Sequence, residues 1–317
     1  MSKSLVRSVL AIAIVASAGL QAAPGQQQQA ISMPGYPAPG APAIVSLSAA
    51  GNAPRMPLRL KVAAGLKETL LMTMTMGVSL SAEGMALPAM DMPVMKMWAE
   101  SVVTGVGPSG DISYDMAFTK LAVEPGPGGD ANMTQMIQAA AGEITALKGS
   151  MTMSNRAISK SATLDLNKIT DPNMRQTLGA MSSQFESLSM PLPEEPVGVG
   201  AKWEVRQATS SAGATIFQRV QCELTALDAN TATIKVTTEQ TAPPQTITNP
   251  AMAGMQMNIE KVAGSGTGTT TVRFGGLTPT SEMTSSTTMN MAVDVGGQMQ
   301  RMAVETKMKL SVGIEKK

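Results

Sequence analysis

Apolar and polar residues alternate along most of this chain at the period of two expected for β-strands with one buried and one wet face. Leu58, Leu60 and Val62 alternate with Arg59 and Lys61. Leu70, Met72, Met74, Met76, Val78 and Leu80 share one side of a long strand, and Thr73, Thr75 and Ser79 occupy the other. Ile112, Tyr114, Met116 and Phe118 form a second set, and Ile216, Val220, Cys222 and Leu224 a third. Ala232, Ile234 and Val236 follow, then Met289, Met291, Val293 and Val295, then Met302, Val304, Met308, Leu310, Val312 and Ile314. The wet faces are rich in Thr and Ser. Gly107-Pro108-Ser109-Gly110, Asp228-Ala229-Asn230 and Gly296-Gly297 read as hairpin turns between strands. Gly105 to Gly110 also spells G-x-G-x-x-G, but a strand pattern follows it where a dinucleotide site needs a helix.

Two stretches change period. Met133, Met136, Ile137, Ala140, Ile144 and Leu147 recur at helical spacing behind a capping Asp130, predicting a helix over 131–147. Asp171-Pro172 opens a second, over 172–188, with Met174, Leu178, Met181, Phe185 and Leu188 on its apolar stripe. Each stripe needs a partner, and the sheet offers one. The expected fold is mainly β (α+β): a long curved antiparallel sheet packed around two amphipathic helices. Residues 241–257 read as a long loop.

The N-terminus has the pattern of a secretory signal. Lys3 and Arg7 precede the apolar run Val9 to Val15, and small residues lead to exit points at Ala18 and Ala22. The run is shorter than the roughly 20 residues of a membrane span. No cysteine follows it, so a lipid anchor is not expected. These features predict a signal peptide over 1–22 and a periplasmic or extracellular location. Residues 23–55 are rich in Pro, Gln and Gly and read as a disordered leader, and 56–317 as one β-rich domain.

Composition narrows the chemistry. Histidine is absent, which removes imidazole triads, shuttles and metal ligands. A single cysteine, Cys222, allows neither an intrachain disulfide nor a thiolate zinc site, and its parity places it in a core. Lys and Arg number 24 against 23 Asp and Glu, which does not support nucleic-acid binding. No G-x-S-x-G elbow or S-x-x-K occurs, and carboxylates are scattered along polar faces. A non-enzymatic binding module is expected.

The segment Leu192-Pro193-Glu194-Glu195-Pro196-Val197-Gly198-Val199-Gly200-Ala201-Lys202-Trp203 has the pattern L-P-x-x-P-V-x-V-G-x-x-W. It resembles a family of uncharacterised secreted bacterial proteins with a domain of unknown function. The resemblance would extend over residues 56–315 and carries no activity. Locally the segment reads as a rigid corner joining helix to sheet, with Trp203 covering one end of the core. The alternative makes Glu194 and Glu195 a functional acid pair. The expected sheet around helices is also similar to periplasmic carriers of lipoproteins and lipids, by architecture alone.

Methionine is the outlying residue, at 28 against four Phe, two Tyr and two Trp. Flexible thioethers line adaptable apolar surfaces. This points to an apolar or lipid-like ligand, in a pocket of Met72, Met74, Met76, Met116, Met136, Met181, Met289 and Met291. Thioethers are also soft ligands suited to Cu(I). The spacing M-x-x-M-x-M occurs at Met92, Met95 and Met97 and again at Met252, Met255 and Met257, in loop-like stretches. A Cu(I) binder is therefore the alternative, and a structural or protein-interaction component of the envelope is a third reading. Asp at position 74 is expected to destabilise the fold if that face is buried.

Overall fold

A computed structural model describes residues 31–83, 85–126, 131–139, 141–145, 147–167, 190–211, 214–249, 255–295 and 298–315. The strands in chain order are β1 (Ile44–Ala49), β2 (Lys67–Ala82), β3 (Met85–Ala86), β4 (Met90–Asp91), β5 (Val94–Val106) and β6 (Ile112–Glu124). A helix, α1 (Ala131–Ala139), and a single turn, Ala141–Ile144, precede β7 (Lys148–Met153) and β8 (Ser159–Asp165). The second half contributes β9 (Lys202–Ser211), β10 (Ala214–Leu227), β11 (Thr231–Ala242), β12 (Gln245–Asn249), β13 (Met255–Arg273), β14 (Thr280–Val295) and β15 (Gln298–Ile314).

All the strands join one antiparallel sheet. Its order is β1-β9-β10-β11-β13-β14-β15-β2-β5-β6-β7-β8, with β12 beside β13 and β3 and β4 beside β2. Hairpins build each half. The halves are joined at the centre by the pairing of β2 with β15, which runs from Met302↔Ala82 to Ile314↔Leu70. The edges are β1 and β8. Lys160 on β8 donates to Asp111 at 2.7 Å, and a charge on an edge strand discourages pairing with other chains.

The sheet rolls. One buried cluster holds Trp203, Val205, Cys222, Leu224 and Ile234 from β9–β11 together with Val103, Ile112 and Met153 from β5–β7. These strands lie in opposite halves of the sheet, so one face must curl until its two sides meet. Two irregular segments plug that end: Leu58, Leu60 and Val62 from one, Leu192 and Val197 from the other. Met56 and Val197 form a bridge between them. Arg59 donates to the carbonyls of Pro193 (3.0 Å) and Glu194 (2.7 Å). Trp203 is 1% exposed, and its indole N–H donates to Pro191 O at 3.2 Å. The twelve-residue motif is thus a plug and corner at the closed end. Within the motif, Glu194 points away from the core, exposed and paired with Arg156 at 3.3 Å. A second cluster, with Val78, Leu80, Met257, Ile259, Met291, Val293 and Val304, fills the other end. A third gathers Ala99, Met116, Phe118, Leu147 and Met151.

Several expectations are corrected here. Among the described residues the chain is nearly all β, and no sheet wraps around two amphipathic helices. At the closed end the curled sheet buries its inner face against itself and the two plug segments. The helix expected over 131–147 shortens to α1 and one turn packed beside β6, and Leu147 enters the third cluster just before β7. The helix expected over 172–188 lies outside the described residues. The likeness to lipoprotein carriers rested on that architecture and falls with it. Ordered structure begins before Arg55: β1 pairs with β9 from Ile44↔Arg206 onward, and Tyr36 packs edge-on against Phe217 with ring centroids 5.3 Å apart. The signal-like segment lies outside the described residues. Residues expected as the 241–257 loop include β12 and the start of β13, which pair with each other.

The hairpin turns at Gly107–Gly110 and Asp228–Asn230 stand as expected. Gly107 N–H donates to Asp111 O at 2.8 Å. The Asp228 carboxylate accepts from the N–H of Asn230 (2.7 Å) and Thr231 (2.8 Å). No helix among the described residues is long and apolar enough to cross a membrane.

Candidate functional site

Residues directly opposite each other in an antiparallel pair point to the same side of the sheet. The registers therefore fix what the inner face carries between its buried clusters. On the β14–β5 side, Met308 stands opposite Met76 and Leu310 opposite both Met283 and Met74. Met74 in turn faces Met95, and Met72 faces Met97. Met92 joins this block through its N–H to Met76 O at 2.8 Å. The predicted trio Met72, Met74 and Met76 and the predicted metal trio Met92, Met95 and Met97 thus meet on neighbouring strands. All six are half-buried. Met283 packs on the first cluster, Met76, Met92 and Met289 on the second, and Met97 on the third. Met72, Met74, Met95 and Met308 are half-buried as well.

On the β9–β14 side the same face is polar. Gln207 faces Gln218, Gln218 faces Gln240, Gln240 faces Gly264, and Gly264 faces Thr287. Gln207 Nε2 donates to Gln218 Oε1 at 2.9 Å, and Thr287 Oγ1 donates to Gln240 Oε1 at 3.2 Å. Thr238, buried at 5% exposure, lies one row along, opposite Gly266. The glycines matter for their missing side chains: a Cβ at Gly266 would sit 2.7 Å from Thr238 Oγ1 and 2.9 Å from the carbonyl oxygen of Thr284. The groups of β11 and β14 can therefore close over β13.

These rows of the floor carry no charge; Glu68, of the same parity on β2 two rows beyond Met72, is closed off by Arg273 Nη2 at 2.6 Å. The charged residues of β15 (Arg301, Glu305, Lys307 and Lys309) have the opposite parity and face outward. On that outer side Glu204 hydrogen-bonds Arg206 at 2.5 Å and Arg219 as well. Burial pushes the Glu204 carboxyl up, but the bonds from Arg219 and Arg206 outweigh it and hold it below its ordinary value. Cys222 is 3% exposed and donates to Met190 Sδ at 3.8 Å. Burial pushes its thiol up to about 12, so it is a core residue and not a reactive one. Burial likewise raises Tyr114 to about 12, its hydroxyl donating to Met151 Sδ at 3.2 Å.

The other predicted positions divide. Met116 (9% exposed) and Met291 (4%) are closed inside separate clusters, and Met289 is half-buried beside the second. Met257, 5% exposed, belongs to the second cluster and lies in β13, not in a loop. Met95 and Met97 are also strand residues, in β5. Met181 and Met252 lie outside the described residues, as do the side chains of Met136 and Met255. The predicted methionines floor an open face. Two shallow, open depressions lie elsewhere, one lined by Ser81, Glu260, Asn290 and Arg301, the other by Pro244, Gln245, Thr246 and Asn258. Sequence reasoning missed the polar row and the partnerships of Met308 with Met76 and of Met283 with Leu310. Their parity was visible, but the pairing that brings distant strands together was not. No group of three or more Asp, Glu or Cys among the described residues is placed to hold a metal ion.

No curated protein matches the chain. Among solved structures it is similar to a mutant Rh. blastica porin, at 9% identity over 78% of this chain and 100% of that one, with a TM-score of 0.19. It is similar also to a chain described under "Asymmetric conductivity of engineered proteins", at 7% identity over 76% of this chain and 100% of that one, with a TM-score of 0.17. Neither score is that of a shared fold. The model of a family of unknown function (DUF6263) matches residues 131–274, from α1 through β13, and includes the Leu192–Trp203 plug. That central stretch is similar to a domain of unknown function.

Proposed function

We propose that this protein is an exported, non-enzymatic binding module that holds a single-chain amphiphile on its inner sheet face, in the bacterial envelope or outside the cell. One observation carries the reading: an uncharged, half-buried floor with methionines on one side and a glutamine–threonine row on the other. Flexible thioethers adapt to an acyl chain, and amide and hydroxyl groups hydrogen-bond a head group without an ion pair. The absence of charge from these rows favours a neutral or zwitterionic head. Export rests on the signal-like N-terminus and on the sequence likeness of Leu192–Trp203 to secreted proteins.

The test is titration of the exported, gently purified protein with a fluorescent sixteen-carbon lysophosphatidylcholine, with native mass spectrometry for stoichiometry. Saturable 1:1 binding is expected. Met74→Asp should weaken it at least tenfold, because the charge would be desolvated under the chain. Lys309→Ala, on the outer face, should leave it unchanged. No saturable binding, or equal loss in both variants, would refute the proposal.

A further inference from the structure

Met72, Met74, Met95 and Met97 make two directly opposed cross-strand pairs, Met72↔Met97 and Met74↔Met95, in consecutive rows of one face. Opposed Cβ atoms lie about 5 Å apart and next-but-one residues about 6.7 Å apart along a strand, so the four Cβ atoms mark a rectangle with each corner about 4.2 Å from its centre. A methionine side chain has three rotatable bonds, so its sulfur can swing toward that centre. All four residues are half-buried: their backbones are fixed by the β2–β5 ladder while their side chains retain access to solvent. The neighbouring rows supply Leu70 and Ala99 on one side and Met76 on the other, with no carboxylate or amine to compete.

We propose that these four thioethers form a binding site for a monovalent soft cation, Cu(I) or its analogue Ag(I). Neutral sulfur donors select soft, singly charged ions over Zn(II), Mg(II) or Ca(II), which prefer nitrogen, thiolate or oxygen. Thioethers do not titrate in the accessible range. Affinity should therefore be flat with pH down to about pH 4, where imidazole and thiolate sites release their metal. The four sulfurs belong to the floor of the proposed amphiphile site, but the metal site requires only the sulfurs, and titration with the ion alone tests it apart from the lipid.

The experiment is titration of the full chain with Ag(I) as its nitrate, and with Cu(I) under ascorbate, read by native mass spectrometry and by X-ray absorption at the metal edge. One ion per chain, an all-sulfur first shell and equal affinity at pH 7 and pH 4.5 are expected. Met74→Leu with Met95→Leu conserves volume and keeps the face apolar. It should weaken Ag(I) binding at least tenfold. Met257→Leu, in the second cluster, should leave Ag(I) binding unchanged. Undiminished Ag(I) binding by the double variant, oxygen or nitrogen in the first shell, or loss of the ion at pH 4.5 would overturn the site. Failure of lysolipid binding with metal binding intact would overturn only the amphiphile proposal.

Discussion

The three inner-face glycines of β13 offer a graded test of how tightly the sheet closes beneath the polar row. An alanine at Gly264 would place its Cβ 2.7 Å from Thr287 Oγ1 and 3.0 Å from Gln240 Oε1, both ends of side chains that can rotate away. At Gly266 the obstacles include the Thr284 carbonyl oxygen at 2.9 Å, and a backbone atom of a central ladder cannot yield cheaply. At Gly268 the new carbon would press on the Glu282 carbonyl oxygen and lie 2.6 Å from Met283 Cγ. Against each clash stands the entropy gained by replacing glycine, about 0.4–1 kcal/mol. Overpacking costs about 1–3 kcal/mol. Gly264→Ala should therefore fall within about 1 kcal/mol of the parent, Gly266→Ala should lose about 1–2 kcal/mol and Gly268→Ala about 2–3 kcal/mol. Urea unfolding followed by far-ultraviolet circular dichroism would resolve these losses. At a slope of about 3 kcal/mol per molar, the largest moves the midpoint by nearly 1 M. Equal losses at all three positions, or the greatest loss at Gly264, would refute the packing argument.

Two further substitutions probe polar contacts. Glu68, 9% exposed, accepts from Arg273 Nη2 at 2.6 Å and from the N–H groups of Leu277 (3.1 Å) and Thr278 (3.0 Å). Glu68→Gln leaves donors facing donors and should cost about 2–3 kcal/mol in chemical denaturation, so a loss under about 0.5 kcal/mol would contradict the clamp. Glu204 has a folded-state pKa below its unfolded one, so its contribution is present above the ordinary carboxylate range and disappears as pH falls through the folded value. Arg206 and Arg219 are 40% and 36% exposed, so screening limits that contribution to about 1 kcal/mol or less. The stability gap between the parent and Glu204→Gln should be open at pH 7 and narrow as the pH falls below the ordinary carboxylate range, and a gap independent of pH would count against the ion pairs.

Much of the strand content was legible because burial follows parity wherever one face is wet. Ile112, Met116 and Phe118 are buried as their alternation requires, as are Ala232, Ile234 and Val236. Leu58, Leu60 and Val62 are buried too, although no strand forms there: alternation reports which side chains face the core, not whether a ladder exists. Parity fails where a second layer covers the other face. Phe217 is fully buried beneath Tyr36, while its neighbour Ile216 is only half-buried. It loses force again in β2, where Met72 and Thr73 are both half-buried. The leader was misread because Pro- and Gly-rich composition hid Ile44–Ala49, a six-residue strand whose partner lies more than 150 residues away. The methionine site was half visible. Composition marked the residue type, and parity put Met72, Met74 and Met76 on one face. Only the register shows that Met95 and Met97 complete it.

The pairing of β2 with β15 also sets the order in which the sheet can assemble. Every other long ladder joins strands near in sequence, but this one links Leu70 to Ile314 across almost the whole domain. Until β15 has been synthesised, β2 and β14 each lack the neighbour that β15 supplies. Central strands then behave as open edges, and the half-built sheet is at its most prone to pair with another chain. The last described strand is therefore the keystone of biogenesis: a chain truncated before Gln298 would have two separate sticky edges and no route to the roll.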